Sequence, residues 1–281
     1  MSRARELDQY FTTSAVARHC LDQLNSVLAD MAGCAALLQD PVLWYLEPSA
    51  GEGAFFDLLP RATRLGLDLE PRHPAIQQAN FLEFRPAQLP PFLVTVGNPP
   101  FGVNYSMAVR FFNHAAQFSQ VIAFILPMAF RKESTIRRLN PLFALVSDEA
   151  LPAKAFVFQG QPYSVPCCFQ IWVKQSMPRI HEPEVRHHAD FEFVGAGDAD
   201  FAIRRVGRRA GCVLNEFSGY ARTSHHFIRV LAPRVAVKAV FGAIDWSAEQ
   251  TRSTGSASIG KPELVRRYEA ERVLGPGRGR G

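Results

Sequence analysis

The chain has 281 residues, 47% of them hydrophobic, so it can bury a large core in one main domain with a modest addition. No apolar run approaches the length of a bilayer span and residues 1–6 are too polar for a signal sequence, so a soluble cytoplasmic protein is expected. The net charge is +5, and the five cysteines show no metal-binding spacing, which predicts reduced thiols and no metal site.

The first predicted elements are a helix and a strand that leads into a glycine turn. Apolar residues recur at helical spacing from about Ser14 to Ala32. An apolar run beginning near residue 42 predicts a buried strand, and the turn at residues 47–53 follows it and is expected to open a helix near Ala54. Gly51 and Gly53 lack a Cβ, so the main chain there could pass close under a ligand.

Two further polar positions follow predicted strands or turns. The apolar segment 65–67 ends in Asp68, about 20 residues after the glycine turn, where dinucleotide-binding folds place a carboxylate on ribose hydroxyls. Next comes Asn80-Phe81, whose amide could pair with an adenine edge while the ring packs on its face. Each position also fits an ordinary turn or core residue, but their order along the chain favours a nucleoside cofactor.

The segment Asn98-Pro99-Pro100-Phe101 follows the apolar run 92–97 and is the most informative motif. The Asn98 amide oxygen and the Pro99 carbonyl oxygen could each accept an N–H bond from a planar amine, favouring the pyramidal nitrogen of a transition state. Phe101 could stack on the attached ring, and the two prolines would fix the backbone. An ordinary turn that ends a strand is the alternative, because Asn-Pro and Pro-Pro are common in loops.

Later elements continue the alternation of strands and helices. Helices are predicted at 105–118 and 128–139, and strands near residues 42, 63, 92, 120, 144, 154 and 165. The last two strands are expected to be joined by a loop that holds Gly160, Pro162 and Tyr163. This alternation predicts an α/β fold, a doubly wound, mostly parallel sheet with helices on both faces and a small C-terminal addition. Ligand sites in such sheets lie at the carboxyl ends of the strands.

The C-terminal region differs in composition from the rest. Residues 1–200 contain 16 basic and 20 acidic residues, whereas residues 201–281 contain 15 and 6. The densest basic group is Arg204, Arg205, Arg208 and Arg209. Such a face suits a polyanion, because phosphate neutralisation releases counterions, although a solvated arginine-rich surface is the alternative.

Three segments are therefore expected. Residues 1–178 form the main domain, residues 179–268 a small basic recognition region, and residues 269–281 a disordered tail rich in glycine and arginine. The three histidines at the start of the second segment lack partners at zinc-ligand spacing, so a solvated loop is expected there. They are His181, His187 and His188.

These motifs together resemble the class I S-adenosylmethionine-dependent amino methyltransferases, and among them the adenine-specific DNA methyltransferases with an (Asn/Asp/Ser)-Pro-Pro-aromatic signature. The segment Asp8 to Thr13 resembles the family's N-terminal cofactor motif, an aromatic residue followed by Thr-Pro, with Thr13 in place of the proline. Asn80 stands where the family more often has Asp. The resemblance covers roughly residues 8–175.

The resemblance implies a catalytic set and a cofactor set. The catalytic residues are Asn98, Pro99, Pro100 and Phe101. The residues expected to bind S-adenosylmethionine are Tyr10, Thr12, Thr13, Glu47, Ser49, Ala50, Gly51, Gly53, Asp68, Leu69, Asn80, Phe81 and Asn98. In the family Thr12 and Thr13 would contact the cofactor's carboxylate.

The implied substrate is an adenine flipped out of its stack in a nucleic acid, DNA first and RNA second. Phe101 would hold the base, a late hairpin would add Phe158 or Tyr163, and the basic group of Arg204, Arg205, Arg208 and Arg209 would bind phosphates. Core packing is the alternative for Phe158, because it alternates with Phe156 in a strand pattern. The signature also serves cytosine, and related sites methylate a protein glutamine amide, which the basic region disfavours. The target sequence and the oligomeric state are left open.

Overall fold

The chain is described by a computed structural model that covers residues 10–31, 43–158, 160–181, 183–232, 234–247 and 258–274. It divides into two compact units, which meet in sequence between Ile180 and His181. The predicted tail beyond Leu274 lies outside the described residues, and so does Ala32 at the predicted end of the first helix.

The first unit is built on a seven-stranded sheet with the order β4-β3-β2-β5-β6-β10-β7. Five neighbouring strands, from β4 to β6, pair in parallel, and β10 lies antiparallel between β6 and β7. This mostly parallel sheet confirms the predicted fold class. Its strands are β2 (Leu43–Glu47), β3 (Arg64–Asp68), β4 (Gln77–Gln78), β5 (Phe92–Gly97), β6 (Val121–Pro127), β7 (Phe143–Ala150) and β10 (Cys167–Lys174).

Both faces of this sheet are covered, because side chains alternate along each strand. Helix α1 (Ser14–Asp30) places its apolar stripe on one face, where Leu24 belongs to the same cluster as Ala123 of β6. Helix α2 (Ser106–Ala115) covers the other face, where Phe112 clusters with Phe124. All seven residues of β6 are buried, as expected for a strand between two helical layers.

A second, three-stranded sheet lies in the same unit. Its strands β1 (Phe11–Thr12), β8 (Phe156–Phe158) and β9 (Gln161–Tyr163) pair antiparallel in the order β1-β8-β9. The prediction that Pro162 and Tyr163 lie in a loop was therefore wrong, because the turn is shorter than expected and β9 pairs back onto β8 at once. This pairing brings the N-terminal segment beside the late hairpin.

Two predicted helices of the first unit were also wrong. The glycine turn leads into a single 3₁₀ turn, Phe56–Leu58, and not into an α-helix from Ala54. Pro60 ends that segment, since it cannot donate the next helical hydrogen bond. The predicted helix 128–139 is split into a 3₁₀ turn and the short α3 (Glu133–Ile136), where Lys132 takes an extended conformation.

The second unit is a four-stranded antiparallel sheet packed with two helices. The sheet order is β11-β14-β12-β13, and the core contains Phe191, Phe241 and Tyr268. Its elements are β11 (Phe191–Phe193), β12 (Phe201–Arg204), β13 (Val213–Leu214), β14 (His225–Val230), α4 (Arg234–Ala243) and α5 (Lys261–Leu274). None of the helices in the described ranges has the length and apolar character required to cross a bilayer.

Two expectations for this unit were wrong. Helix α5 continues to Leu274, so residues 269–274 are ordered rather than part of a disordered tail. Tyr268 is 1% exposed and anchors this last turn to the core. His188 is not a solvated loop residue: its ring stacks on Phe191 at 5.2 Å between centroids, and its Nε2 lies 2.8 Å from Glu269.

Candidate active site

The glycine turn after β2 is held by backbone hydrogen bonds and by two left-handed residues. Gly51 has φ +50° and Gly53 has φ +90°, conformations that side chains with a Cβ rarely adopt. The Ala50 N–H donates to the Leu67 carbonyl at 2.9 Å, which ties the turn to β3. A Cβ on Gly51 would lie 3.0 Å from the Phe11 ring, so the close approach seen here is to the N-terminal strand.

Asp68, at the carboxyl end of β3, completes the turn. Its Oδ2 accepts the Gly51 N–H at 2.8 Å and its Oδ1 accepts the Glu70 N–H at 2.8 Å. Each carboxylate oxygen can accept a further bond, so the group can still receive hydroxyl donors. The next side chain, Leu69, is 53% exposed and offers an apolar surface beside that carboxylate.

Asn98 is the junction of three segments at the carboxyl end of β5. Its side-chain Nδ2 donates to the Tyr10 carbonyl at 3.0 Å, and its main-chain carbonyl accepts a hydrogen bond from the Ser49 hydroxyl at 2.9 Å. Because only the NH₂ group can donate to a carbonyl, this contact sets the orientation of the amide. The Oδ1 is buried and has no hydrogen-bond partner among the described residues, so it is an oriented, unused acceptor.

Glu47 is the last residue of β2, the strand that pairs with β5. Its side chain is buried, and its Oε2 has no hydrogen-bond partner in the described part of the chain. Burial raises the pKa of this carboxyl well above its ordinary value, with the nearby Asp68 and Asp57 acting in the same direction and the Phe56 N–H opposing them. A Cβ on Gly97 would lie 3.1 Å from the Glu47 Cγ, so the glycine before Asn98 makes room for this side chain.

Three aromatic rings predicted for the site lie together on the small sheet. Tyr10 stacks on Tyr163 at 5.2 Å between centroids, and Phe158 lies 5.3 Å from Tyr10 and 5.6 Å from Tyr163. Phe158 is half-buried within this group and is not part of the main core clusters. The Tyr10 carbonyl is the acceptor for Asn98, so the aromatic cluster and the signature are joined by one hydrogen bond.

The remaining signature residues are anchored more deeply. Pro99 is buried and Pro100 is half-buried. Phe101 is half-buried and packs against the clusters on both faces of the main sheet. Its main-chain carbonyl accepts the Met107 and Ala108 N–H groups at 3.2 and 3.3 Å, which ties the backbone of Phe101 to the start of α2.

Some predicted cofactor residues have other roles in this structure. The Asn80 amide bonds locally, accepting the Leu82 N–H at 3.1 Å and donating to Glu83 at 2.7 Å. The Phe81 ring is 1% exposed and packs among Phe111, His114 and Phe118, so it presents no face to a ligand.

The two threonines differ in the same way. The Thr13 hydroxyl accepts the Val16 N–H at 3.4 Å and caps α1, while the buried Thr12 Oγ1 has no partner within the described residues. A capped threonine is occupied by its own helix, so Thr12 is the better candidate of the pair for a ligand contact.

The sequence interpretation missed Phe11 and Arg72. Phe11 packs against Gly51, and the Arg72 guanidinium lies 4.8 Å from the centre of the Phe11 ring and 3.4 Å from Glu52. The Arg72 N–H donates to the Gly51 carbonyl at 3.0 Å. The aromatic position beside Thr12 was the available signal for Phe11, but nothing in the local sequence marks Arg72.

The predicted phosphate-binding arginines lie in the second unit, at the end of β12 and in the turn after it. Arg204 and Arg205 are half-buried, and Arg208 and Arg209 are exposed. Within the described ranges, no group of three or more His, Cys, Asp or Glu residues could hold a metal ion.

No protein-family model matches this chain, and no curated protein matches it significantly. Solved structures with a similar fold include 23S rRNA methyltransferase ErmE, at 17% identity and TM-score 0.39 over 93% of this chain and 99% of that one. A Pyrococcus horikoshii protein, provisionally described as an RNA methyltransferase, aligns at 16% identity and TM-score 0.45 over 60% of this chain and 88% of its own.

A third is the M protein of the type I restriction enzyme EcoKI, with 16% identity and TM-score 0.34 over 47% of this chain and 39% of that one. At these identities and TM-scores, the chemistry of this chain has to be argued from its own site residues.

Proposed function

We propose that this protein is an S-adenosylmethionine-dependent methyltransferase that methylates the exocyclic amino group of adenine in a nucleic acid, with DNA as the expected substrate. The observation that carries the proposal is the oriented and unpartnered Oδ1 of Asn98 at the carboxyl end of β5. A buried acceptor without a partner costs about 1–3 kcal/mol, so its retention in a rigid motif supports a functional use.

The residues around the glycine turn fit the proposed cofactor. Asp68 can accept hydroxyl donors of a ribose, and the exposed Leu69 can pack against an adenine ring. Two further buried polar atoms on the segments beside Asn98, Thr12 Oγ1 and Glu47 Oε2, have no hydrogen-bond partner among the described residues and suit the polar amino-acid end of the cofactor. When bound, S-adenosylmethionine supplies an electrophilic methyl group on a sulfonium.

The residues of the signature would act on the amine. Asn98 Oδ1 and the Pro99 carbonyl accept its two N–H bonds, which localises the nitrogen lone pair and favours pyramidal geometry in the transition state. Phe101 stacks on the base, and its packing against the core clusters on both faces of the sheet keeps the ring in place. No side chain has to remove a proton first, because the nitrogen becomes strongly acidic after it is methylated.

Entry of the base requires a rearrangement of side chains. Asn98 Oδ1 is shielded from solvent, so an amine reaches it only by displacing groups that now cover it. The cluster of Tyr10, Phe158 and Tyr163 adjoins Asn98 through the Tyr10 carbonyl, and Tyr163 is 39% exposed. These rings supply stacking surfaces for a base that has left its helix.

The test is transfer of labelled methyl from S-adenosylmethionine to duplex DNA, single-stranded DNA, total RNA and protein in parallel, followed by nucleoside analysis. N6-methyladenine in DNA is the expected product. The same product in RNA alone would move the substrate to RNA and keep the chemistry. Label confined to protein, or no transfer to any pool, would refute the proposal.

A further inference from the structure

The long connection between β13 and β14 in the second unit carries an aromatic ring that is stacked but half exposed. Tyr220 lies face to face with His225, with ring centroids 4.4 Å apart and planes 7° apart. The Tyr220 side chain is nonetheless 48% exposed. Beneath it, His225 is 6% exposed, so one face of the tyrosine is supported by the protein and the other is open.

The supporting histidine is held in place from several sides. His225 Nδ1 lies 2.9 Å from the Ser224 hydroxyl, and the His225 N–H donates to the Ala221 carbonyl at 3.1 Å. In the same connection Phe217 packs on Phe227, with ring centroids 5.8 Å apart. The buried Nε2 of His225 has no hydrogen-bond partner among the residues described, so the ring stack covers an unsatisfied polar atom.

Positive charge lies next to His225 in the sheet and is dense in the surrounding sequence. Arg204 is the cross-strand partner of His225 in the β12–β14 ladder, and its charge acts on the histidine. Between residues 204 and 226 the sequence holds five arginines and a single carboxylate, Glu216. The arginines are Arg204, Arg205, Arg208, Arg209 and Arg222.

These five arginines differ from others in the same unit. None of them forms an ion pair with a carboxylate in the part of the chain that the structure describes. Arg186, Arg229 and Arg272, by contrast, lie 2.6, 2.6 and 2.7 Å from Glu184, Glu192 and Glu269. These three arginines are compensated by neighbouring carboxylates, whereas the five between residues 204 and 222 are not, as far as the described residues extend.

We infer that Tyr220, backed by His225 and accompanied between residues 204 and 222 by these five arginines, is a binding surface for an unpaired nucleotide and its neighbouring phosphates. A base would stack on the open face of Tyr220, and the guanidinium groups would take the backbone. Stacking on an aromatic side chain and neutralisation by arginine are the two contributions that bind single-stranded nucleic acid. The inference rests on the proposed function, because it takes the methylated polymer as the ligand.

The surface can be tested by the fluorescence anisotropy of a labelled single-stranded oligonucleotide, in DNA and RNA forms, with the full chain and without cofactor. Tyr220→Leu should weaken binding of single strands by about 5- to 100-fold. Tyr220→Phe keeps the ring and should bind as the wild type does. A blunt duplex, which offers no unpaired base, should be unaffected by the leucine variant.

The arginines are tested by the salt dependence of binding. Arg208→Gln and Arg204→Gln should each reduce the slope of log K against log salt by about 0.7 to 1. Arg229→Gln is the matched control, because Glu192 already compensates that charge, and its slope should stay at the wild-type value. Circular dichroism confirms that each variant is folded.

The failure of this inference is distinguishable from failure of the proposed function. Wild-type affinity in Tyr220→Leu together with unchanged salt slopes in both arginine variants would overturn the surface, even if nucleic acid is methylated. Ring-dependent binding without methyl transfer to any nucleic acid would support the surface and refute the proposed chemistry. If Tyr220→Leu loses more affinity for the RNA oligonucleotide than for the DNA oligonucleotide, the surface is supported and RNA is identified as the source of its unpaired nucleotides.

Discussion

The two candidate sites use polar groups differently. In the first unit, the site contains buried acceptors without partners among the described residues, as with Asn98 Oδ1 and Glu47 Oε2. In the second unit, uncompensated charge lies in connections and at strand ends, as with Arg208 and Arg209. Arg131 of the first unit, by contrast, is compensated, because its guanidinium lies 2.8 Å from Asp148.

This difference favours separate roles for the two units. Buried and oriented acceptors can discriminate between a ground state and a transition state, because they need no reorganisation during the reaction. Mobile surface cations cannot do so, but they attract a polyanion from any direction and independently of its sequence. We therefore expect substitutions in the first unit to change chemistry or cofactor affinity, and substitutions in the second to change affinity for the polymer.

The largest effect is expected for Asn98→Ala. Loss of the oriented acceptor should lower turnover by about 10²- to 10³-fold, since comparable losses follow removal of one preorganised hydrogen-bonding group. The affinity for S-adenosylmethionine and for oligonucleotide should stay near wild type. Single-turnover methyl transfer, calorimetry and anisotropy measure the three quantities, and an active Asn98→Ala enzyme would end the assignment of Asn98.

A smaller effect is expected for Asp68→Asn, which should act on cofactor binding. Asparagine has only one acceptor oxygen, so either the Gly51 or the Glu70 N–H loses its partner, and a hydrogen bond to a charged group contributes about 1.5–3 kcal/mol. The dissociation constant for S-adenosylmethionine should rise by about 10- to 100-fold in calorimetry, with polymer binding unchanged.

The matched control for that experiment is Asp57→Asn, which changes a carboxylate near the same turn that is 55% exposed. It should leave cofactor affinity close to wild type. Equal losses in both variants would show that general charge around the turn matters more than the two hydrogen bonds of Asp68.

The smallest effect is expected for Glu47→Gln, which tests whether the buried carboxyl binds a proton in the folded state. Burial raises the pKa of this carboxyl in the folded state, whereas in the unfolded chain its pKa is about 4.3. Between these two pKa values the folded state binds more protons, so the wild type loses stability as pH rises. The glutamine variant cannot ionise and lacks this loss.

The melting temperature of Glu47→Gln relative to wild type should therefore increase as the pH rises from about 5 into the neutral range, when followed by circular dichroism. A difference that stays constant over this range would mean that Glu47 ionises normally in the folded protein.

Much of the fold and part of the site could be predicted from sequence. Alternating apolar runs and helical spacing determined the doubly wound sheet, because both patterns are local consequences of how side chains are directed from strands and helices. The same reasoning placed Gly51, Asp68 and Asn98 after their strands, where parallel connections bring the carboxyl ends to one edge. Turn chemistry was less informative, as the missing helix at Ala54 shows.

Only the tertiary structure decided which polar groups have hydrogen-bond partners and which side chains are buried by packing. Asn98 is oriented by a hydrogen bond that its amide donates to a carbonyl 88 positions away, and the Phe81 ring is covered by three rings, Phe111, His114 and Phe118. The stack of Tyr220 on His225 likewise depends on how a long connection folds back on its strand. Local sequence carries periodicity and turn preference, whereas partners and unsatisfied atoms result from packing between segments that are distant along the chain.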